Sequence, residues 1–84
     1  MTVQERVRGF ILEYFYVSDP EELRDEISLL DSGLVDSTGM MEVILFLERE
    51  YAIHIEDHET IPENLESIAR IAAFVARKQA AAAD

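Results

Sequence analysis

The sequence predicts an all-α fold, a small four-helix bundle of three main helices and one short helix, with a long first loop. The chain has 84 residues and 49% of them are hydrophobic, which suits one small domain with one core. Apolar residues recur at helical spacing in three segments, whereas the strand-like alternation Ile53–His54–Ile55 is too short to pair into a sheet. We predict one domain over 1–79 and a flexible alanine-rich tail over 80–84.

The first helix is predicted to begin after Thr2, because Thr2 and Glu5 form a capping box in which each side chain accepts from the other's backbone N–H. Its apolar face comprises Val3, Val7, Phe10, Ile11 and Tyr14. The turn sequence Ser18-Asp19-Pro20 predicts that the helix ends near Tyr16.

Residues 17–36 form the long first loop. Pro20 suits a first helical position, so Glu21 to Ile27 can form a helical turn. We expect four apolar residues of this loop to pack into the core and a turn at Gly33; the four are Leu29, Leu30, Leu34 and Val35. Loops of this length are often functional, and this one leads to Ser37.

The second helix is predicted from Ser37 to about Tyr51, with Asp36 at the N-cap. Its core stripe comprises Val43, Ile44, Leu47 and Tyr51. Met41 and Leu45 form an apolar pair outside that stripe, either as further core or as an interface.

The remaining chain is predicted as an extended linker over 53–55, a brief helix from Asp57 to Ile61, and a last helix capped by Asn64. The apolar stripe of the last helix comprises Leu65, Ile68, Ile71, Ala72 and Val75, with Phe74 at its edge. The alanines at 80–83 have little to pack against, so we expect them to fray.

The charge is strongly acidic, with 18 acids against 7 bases and a formal net charge of −11. Phosphate backbones and anionic lipid surfaces would be repelled, so neither nucleic acid nor a membrane is an expected partner. Between 36 and 66 only Arg49 opposes nine acids: Asp36, Glu42, Glu48, Glu50, Glu56, Asp57, Glu59, Glu63 and Glu66. That concentration indicates either docking of basic partners or a solvated face that keeps a small protein in solution.

The sequence has no cysteine, no apolar run long enough to cross a membrane, and no signal-peptide pattern at the N-terminus. We therefore expect a cytoplasmic protein. We also predict that it is a monomer. Ser37 as a catalytic nucleophile is excluded by spacing, because His54 and His58 follow the far end of a helix about 20 Å long. No Gly-x-Ser-x-Gly elbow is present either, and we predict no catalytic residue.

We also predict no metal site. A calcium loop counted from Asp31 fails at Gly33, Val35 and Asp36, and two histidines are too few ligands for zinc. Because Asp36 already caps the helix, the Ser37 hydroxyl is not needed as a cap and is available for modification by another protein. The N-terminus of a helix favours an attached phosphate group. Simple phosphorylation and a larger phosphodiester both fit.

The chain resembles the acyl carrier protein family in four features of its sequence. These are the motif Asp36-Ser37, the apolar-rich helix after it, Glu42, and the closing segment 47–51. The resemblance covers nearly the whole chain. It implies that Ser37 carries a covalent 4'-phosphopantetheine, with Asp36 at the same site, and that the thiol of this cofactor holds an acyl or aminoacyl thioester. It also implies a recognition helix over 37–51, where the partner contacts are Thr38, Met41, Glu42, Leu45 and Glu48.

The partners that this resemblance implies are a phosphopantetheinyl transferase, an acyl- or aminoacyl-AMP ligase, and acyl-transferring or condensing enzymes. Fatty-acid carriers commonly read Asp-Ser-Leu, whereas this chain reads Asp36-Ser37-Thr38-Gly39, which looks more like D-alanyl and other stand-alone carriers. Gly39 either lets a partner approach closely or is neutral, and fatty acyl, aryl, hydroxy-acid and amino-acid cargo all remain open. The alternative is a small acidic helical interaction module without a prosthetic group.

Overall fold

The computed structural model describes residues 1–83 and contains four α-helices. They are α1 (Val3–Tyr14), α2 (Ser37–Tyr51), α3 (Pro62–Leu65) and α4 (Ile68–Ala83), with single 3₁₀ turns at Pro20–Glu22 and Asp57–Glu59. Over residues 1–83 there is no β-strand. The all-α prediction, with three main helices, one short helix and a long first loop, is confirmed.

One continuous core joins all four helices and the loops, and α4 contacts each of the other three helices. Each of the three long helices contributes most of its predicted apolar stripe, because it presents apolar side chains at helical spacing. The residues that are completely or almost completely buried are Val7, Ile11, Leu23, Leu29, Val35, Val43, Leu47, Ile68, Ile71 and Val75.

α1 begins as predicted. The Glu5 N–H donates to the Thr2 hydroxyl (3.1 Å) and the Thr2 N–H to the Glu5 carboxylate (3.0 Å). The Thr2 backbone N–H, and to a lesser extent the Thr2 side chain, favours the charged carboxylate and lowers the pKa of Glu5. The helix ends at Tyr14, where Phe15 turns extended, and the Tyr14 side chain is 67% exposed. Its predicted place on the core face is therefore wrong.

The first loop is held against the helices by side-chain and backbone bonds. Arg8 of α1 donates to the Leu23 carbonyl and pairs with the Asp25 carboxylate. The Asp25 carbonyl accepts from the Ala69 N–H of α4 (2.9 Å). These contacts fix the loop to α1 and α4 together.

The second half of the loop is anchored by apolar burial. Leu29 and Val35 are buried as predicted, and the Leu29 N–H donates to the Glu66 carbonyl (2.8 Å). Gly33 makes the expected turn at φ +78°, a region that glycine adopts without steric cost. Leu30 is 47% exposed, so its predicted burial is wrong. Leu29 and Leu30 are neighbours in a turn, and only the Leu29 side chain is buried in the core.

α2 matches its predicted bounds and ends at Ala52, which adopts the left-handed conformation at φ +51°. Val43, Ile44 and Leu47 are buried as predicted. Tyr51 is half-buried and its hydroxyl has no hydrogen-bond partner among residues 1–83. That burial raises the pKa of Tyr51.

The segment after α2 is extended over 53–56, as predicted, and its turn at Asp57–Glu59 is shorter than the expected helix. Glu59 accepts from the Glu56 N–H (3.0 Å) and from Lys78 Nζ of α4 (2.9 Å). These two donors lower the pKa of Glu59, the backbone N–H having the larger effect. The turn is thereby tied to α4.

The start of the last helix corrects the sequence prediction. Asn64 lies inside α3, where its side chain contacts the Glu59 carbonyl and Arg77, and it caps no helix. Ser67 caps α4 instead, because its hydroxyl accepts from the Arg70 N–H (3.2 Å). Phe74 is 2% exposed and belongs to the core, not to its edge.

α4 continues through the alanine run to Ala83, while Asp84 lies outside the described residues. The separate flexible tail over 80–84 stays a prediction. No helix within residues 1–83 has the length and apolarity needed to cross a bilayer.

The core assignment of α2 can be tested with two leucines on the same helix. Leu47 is fully buried and Leu45 is 45% exposed. We expect Leu47→Ala to lower the free energy of unfolding by about 2–5 kcal/mol through lost burial and a cavity. Leu45→Ala, the matched control, should change it by less than about 0.5 kcal/mol. Urea unfolding followed by circular dichroism measures both, and equal losses would contradict the assignment.

Candidate acyl-carrier attachment site

The site begins at the N-cap of α2, where Asp36 accepts a short hydrogen bond from the Gly39 N–H (2.6 Å). The Asp36 carbonyl accepts from the Met40 N–H (2.9 Å), which starts the helical ladder. The sequence prediction that Asp36 caps this helix is confirmed. The cap needs no contribution from Ser37.

Ser37 is the first residue of α2 and its side chain is exposed. Within residues 1–83 its hydroxyl makes no hydrogen bond, while Thr38 beside it is also exposed. The unpaired N–H groups of a first helical turn carry partial positive charge, which favours a negatively charged group attached there. The geometry therefore offers an accessible hydroxyl at a position that stabilises an attached phosphate.

Gly39 is buried beneath the ring of Phe15 at the end of α1. A Cβ at this position would lie 2.5 Å from Phe15 Cε1 and 3.1 Å from Asp36 Oδ1. Phe15 in turn packs edge-on against Phe10, with ring centroids 6.2 Å apart. A side chain at position 39 would therefore require the Phe15 ring to move. From the sequence, Gly39 was expected either to let a partner approach closely or to be neutral. The structure adds a third reason, its contact with the Phe15 ring.

The outer face of α2 carries two exposed apolar side chains, Met41 at 59% and Leu45 at 45% exposure. The buried stripe is complete without them, so the pair is not core. Glu42 lies next to Met41 and is exposed, with no ion pair among residues 1–83. Together they place apolar and acidic groups on one accessible face.

Glu48 has a structural contact as well as its predicted partner role. Its carboxylate accepts from the Ile55 N–H (2.9 Å) and lies 3.5 Å from His54 Nδ1. Glu48 therefore holds the segment that follows α2 against the helix. Its participation in docking stays a prediction, as does that of Thr38.

The histidines lie where the sequence placed them, past the opposite end of α2 from Ser37. His54 Nε2 lies 3.0 Å from the Glu56 carboxylate, so this ring faces acids and not the serine. Within residues 1–83, neither histidine is therefore placed to act as a base on the Ser37 hydroxyl.

An apolar cavity of about 150 Å³ lies between α2, α3 and the first loop. Met40, Ile44 and Leu65 contribute buried side chains to it, and the partly exposed Leu30 and Ile61 stand at its rim. The sequence analysis missed this cavity. The exposed Leu30, assigned to the core by its apolar character, belongs to the rim instead.

The contact between Gly39 and Phe15 predicts the effect of adding one methyl group. Alanine favours a helix by about 1 kcal/mol over glycine, but the clash with the Phe15 ring costs about 1–3 kcal/mol. We expect Gly39→Ala to be neutral or destabilising, and Gly39→Ala with Phe15→Leu to recover stability. Thr38→Ala, one residue earlier and exposed, is the control in thermal unfolding. A stabilisation of about 1 kcal/mol by Gly39→Ala alone would contradict the contact.

Comparison with known proteins gives consistent relatives. No protein-family model matches the chain. The acyl carrier protein of Bdellovibrio bacteriovorus is 27% identical over 78 residues, covering 93% of this chain and 96% of that one. The acyl carrier protein of Caulobacter vibrioides strain NA1000 is 28% identical over the same length, with the same coverage.

Two further comparisons complete the assignment. A chain in the crystal structure of an FAD-dependent dehydrogenase superimposes with a TM-score of 0.66 and 27% identity, covering 87% of this chain and 97% of that chain. The acyl carrier protein of Nitratidesulfovibrio vulgaris strain DP4 is 32% identical over 59 residues, covering 70% of this chain and 76% of that one. Since the relatedness extends over most of both chains and the fold is the expected helical bundle, this protein belongs to the acyl carrier protein family.

Proposed function

We propose that this protein is a carrier whose Ser37 is joined through a phosphodiester to 4'-phosphopantetheine. The observation that supports it best is the Ser37 hydroxyl itself, exposed at the first position of α2 and not needed by the cap. The oxygen of Ser37 loses its proton and forms the new bond to the phosphorus that bears the pantetheine group of coenzyme A, while the pyrophosphate P–O bond breaks and adenosine 3',5'-diphosphate leaves. The thiol at the end of the arm then holds an acyl or aminoacyl group as a thioester.

The residues present fit such a group. The arm's phosphate carries a negative charge, and the first turn of α2 provides favourable partial positive charge. The Asp36 carboxylate accepts the hydrogen bond from the Gly39 N–H, and it thereby orients the helical turn that carries Ser37. Thr38 is exposed beside the attachment point and becomes part of the surface that a transferase contacts.

The chain is a substrate and carrier for other proteins, not an enzyme, in this proposal. Among residues 1–83 both histidines lie past the far end of α2 from Ser37, so in this proposal the phosphopantetheinyl transferase supplies the groups that remove the proton. The other partners are an acyl- or aminoacyl-AMP ligase, which loads the thiol, and acyl-transferring or condensing enzymes, which unload it.

Docking of these partners is assigned to the outer face of α2. Met41 and Leu45 supply exposed apolar contact, and Glu42 supplies a charge that is free to pair with a basic partner. With a net charge of −11, the protein attracts basic surfaces over several ångströms and speeds encounter at low salt. Glu48 contributes to the same field, although its carboxylate also holds the Ile55 N–H.

The 150 Å³ cavity beneath α2 supports a second element of the proposal, which is transient shelter of the cargo. Its walls are apolar and its rim includes the exposed Leu30 and Ile61. An apolar group that enters it is removed from water, which is favourable in proportion to the apolar area buried. The thioester would then be partly protected from hydrolysis.

The carrier proposal predicts modification at one residue. Incubation of the protein with coenzyme A and a broad-specificity phosphopantetheinyl transferase should add the mass of one phosphopantetheine to the intact chain. Ser37→Ala should add none, because the hydroxyl that forms the phosphodiester is gone. Ser32→Ala, in the first loop, is the control and should be modified fully. An unmodified wild-type mass would leave the alternative, an acidic helical interaction module without a prosthetic group.

The docking face predicts a charge effect that salt removes. Glu42→Lys should lower kcat/KM for the transferase by about tenfold at low ionic strength, because a rim charge mainly alters the association rate. The difference should shrink in high salt as screening sets in. Glu22→Lys changes the net charge equally but lies in the first loop, and it serves as the control. Equal rates for the two variants would remove Glu42 from the docking face.

A further inference from the structure

A groove of about 520 Å³ runs between α1 and α2, on a side of α2 that the proposed attachment site does not use. The two helices are antiparallel across it. Arg6 pairs with Glu50 at one end (2.6 Å), Phe10 stacks on Phe46 in the middle, and Phe15 covers Gly39 at the other end. This groove is open, although it lies between two helices that share one core.

The floor of the groove is a stack of three aromatic rings. Tyr14 lies on Phe10 with centroids 4.5 Å apart and an interplanar angle of 27°. Phe10 lies on Phe46 at 4.3 Å and 19°. Phe10 and Phe46 are half-buried and Tyr14 is 67% exposed, so the aromatic surface that remains open to solvent is mainly that of Tyr14. Such a surface attracts cations, because the face of an aromatic ring carries negative charge.

The walls carry carboxylates on both sides. Glu13 extends from α1 and Glu42 from α2, and both line the groove. The antiparallel register places them across from each other, between the contact of Phe10 with Phe46 and that of Phe15 with Gly39. Neither carboxylate has an ion pair or hydrogen bond among residues 1–83. The groove is also lined by Glu5 and Glu50 and by two arginines, Arg6, which pairs with Glu50, and Arg49. Four carboxylates against two guanidinium groups leave an excess of negative charge in the groove, and Glu13 and Glu42 are the two acids that flank the aromatic floor.

Gly9 leaves the α1 wall open. A Cβ built at Gly9 would meet nothing within 4 Å, and the residue lies in the middle of α1, where glycine costs about 1 kcal/mol relative to alanine. No turn or close packing requires glycine here, in contrast to Gly39. The gap widens the groove at the level of the aromatic stack.

We propose that this groove docks a basic helix of a partner protein through an arginine side chain that enters between Glu13 and Glu42. A guanidinium is planar, so it can stack on the rings while its N–H groups donate to both carboxylates. An uncharged acyl chain would leave both acids desolvated without a partner. A second copy of this chain, which also carries −11, would be repelled.

This docking site adds α1 to the surface that partner proteins contact. It does not depend on the phosphopantetheine arm proposed for Ser37. It is therefore tested with the Ser37→Ala protein, which cannot be modified. The probe is a synthetic amphipathic helical peptide with one arginine at the centre of its apolar face. The same peptide with citrulline, the uncharged isostere of arginine, is the control. Affinity is measured by calorimetry and the binding surface by amide chemical shifts.

We expect the arginine peptide to bind about tenfold more tightly than the citrulline peptide, with shifts centred on Gly9, Phe10 and Tyr14. Glu13→Gln should weaken binding about tenfold, because it removes a charge from the α1 wall alone. Gly9→Arg places a competing cation inside the groove and should weaken binding as much. Gly9→Ala is its matched control and should bind as the parent does, and thermal melts check that all variants fold.

Three results would overturn the proposal. One is equal affinity for the two peptides. Another is a set of shifts confined to Met41 and Leu45 with no effect of Glu13→Gln, which would place docking on the outer face of α2 alone. The last is self-association by sedimentation that Gly9→Arg abolishes, which would make a second copy the occupant. None of these results bears on whether Ser37 is modified.

Discussion

Attachment of the first loop to α4 is the constraint on which the rest of the structure depends. Leu29 and Val35 are buried, and the backbone bonds from Leu29 to Glu66 and from Ala69 to Asp25 tie the loop to the α3–α4 end of the bundle. An unattached loop of this length would let the start of α2 move freely. Because it is attached, Asp36 arrives at a defined position and α2 begins there.

The start of α2 shows how packing and exposure are combined at one helix turn. Gly39 packs against the Phe15 ring on the inner side, while Ser37 and Thr38 are exposed on the outer side. The cap bond from the Gly39 N–H to Asp36 joins the two sides.

The fold divides the acidic side chains into those with internal partners and those that face solvent. Some carboxylates are used internally, as Glu59 is by Lys78 and Glu48 is by the Ile55 N–H. Glu42 has no such partner among residues 1–83 and stands between two surfaces, the outer face of α2 and the aromatic groove beside α1. The same side chain can therefore serve docking on either surface, which links the attachment site to the groove.

The sequence by itself determined the three main helices, the bounds of α2 and the cap at Asp36, because capping and helical periodicity are local properties of neighbouring residues. It also predicted that Met41 and Leu45 lie outside the core stripe. It did not determine the separate short helix α3 or the cap of α4 at Ser67. Only the tertiary structure showed that Leu30 lies at the rim of a cavity and that Asn64 contacts Glu59 and Arg77 without capping a helix. It also showed that Gly39 packs against a ring from another segment. Each of those depends on atoms from a distant segment, such as the Phe15 ring over Gly39, and no spacing rule within α2 contains that contact.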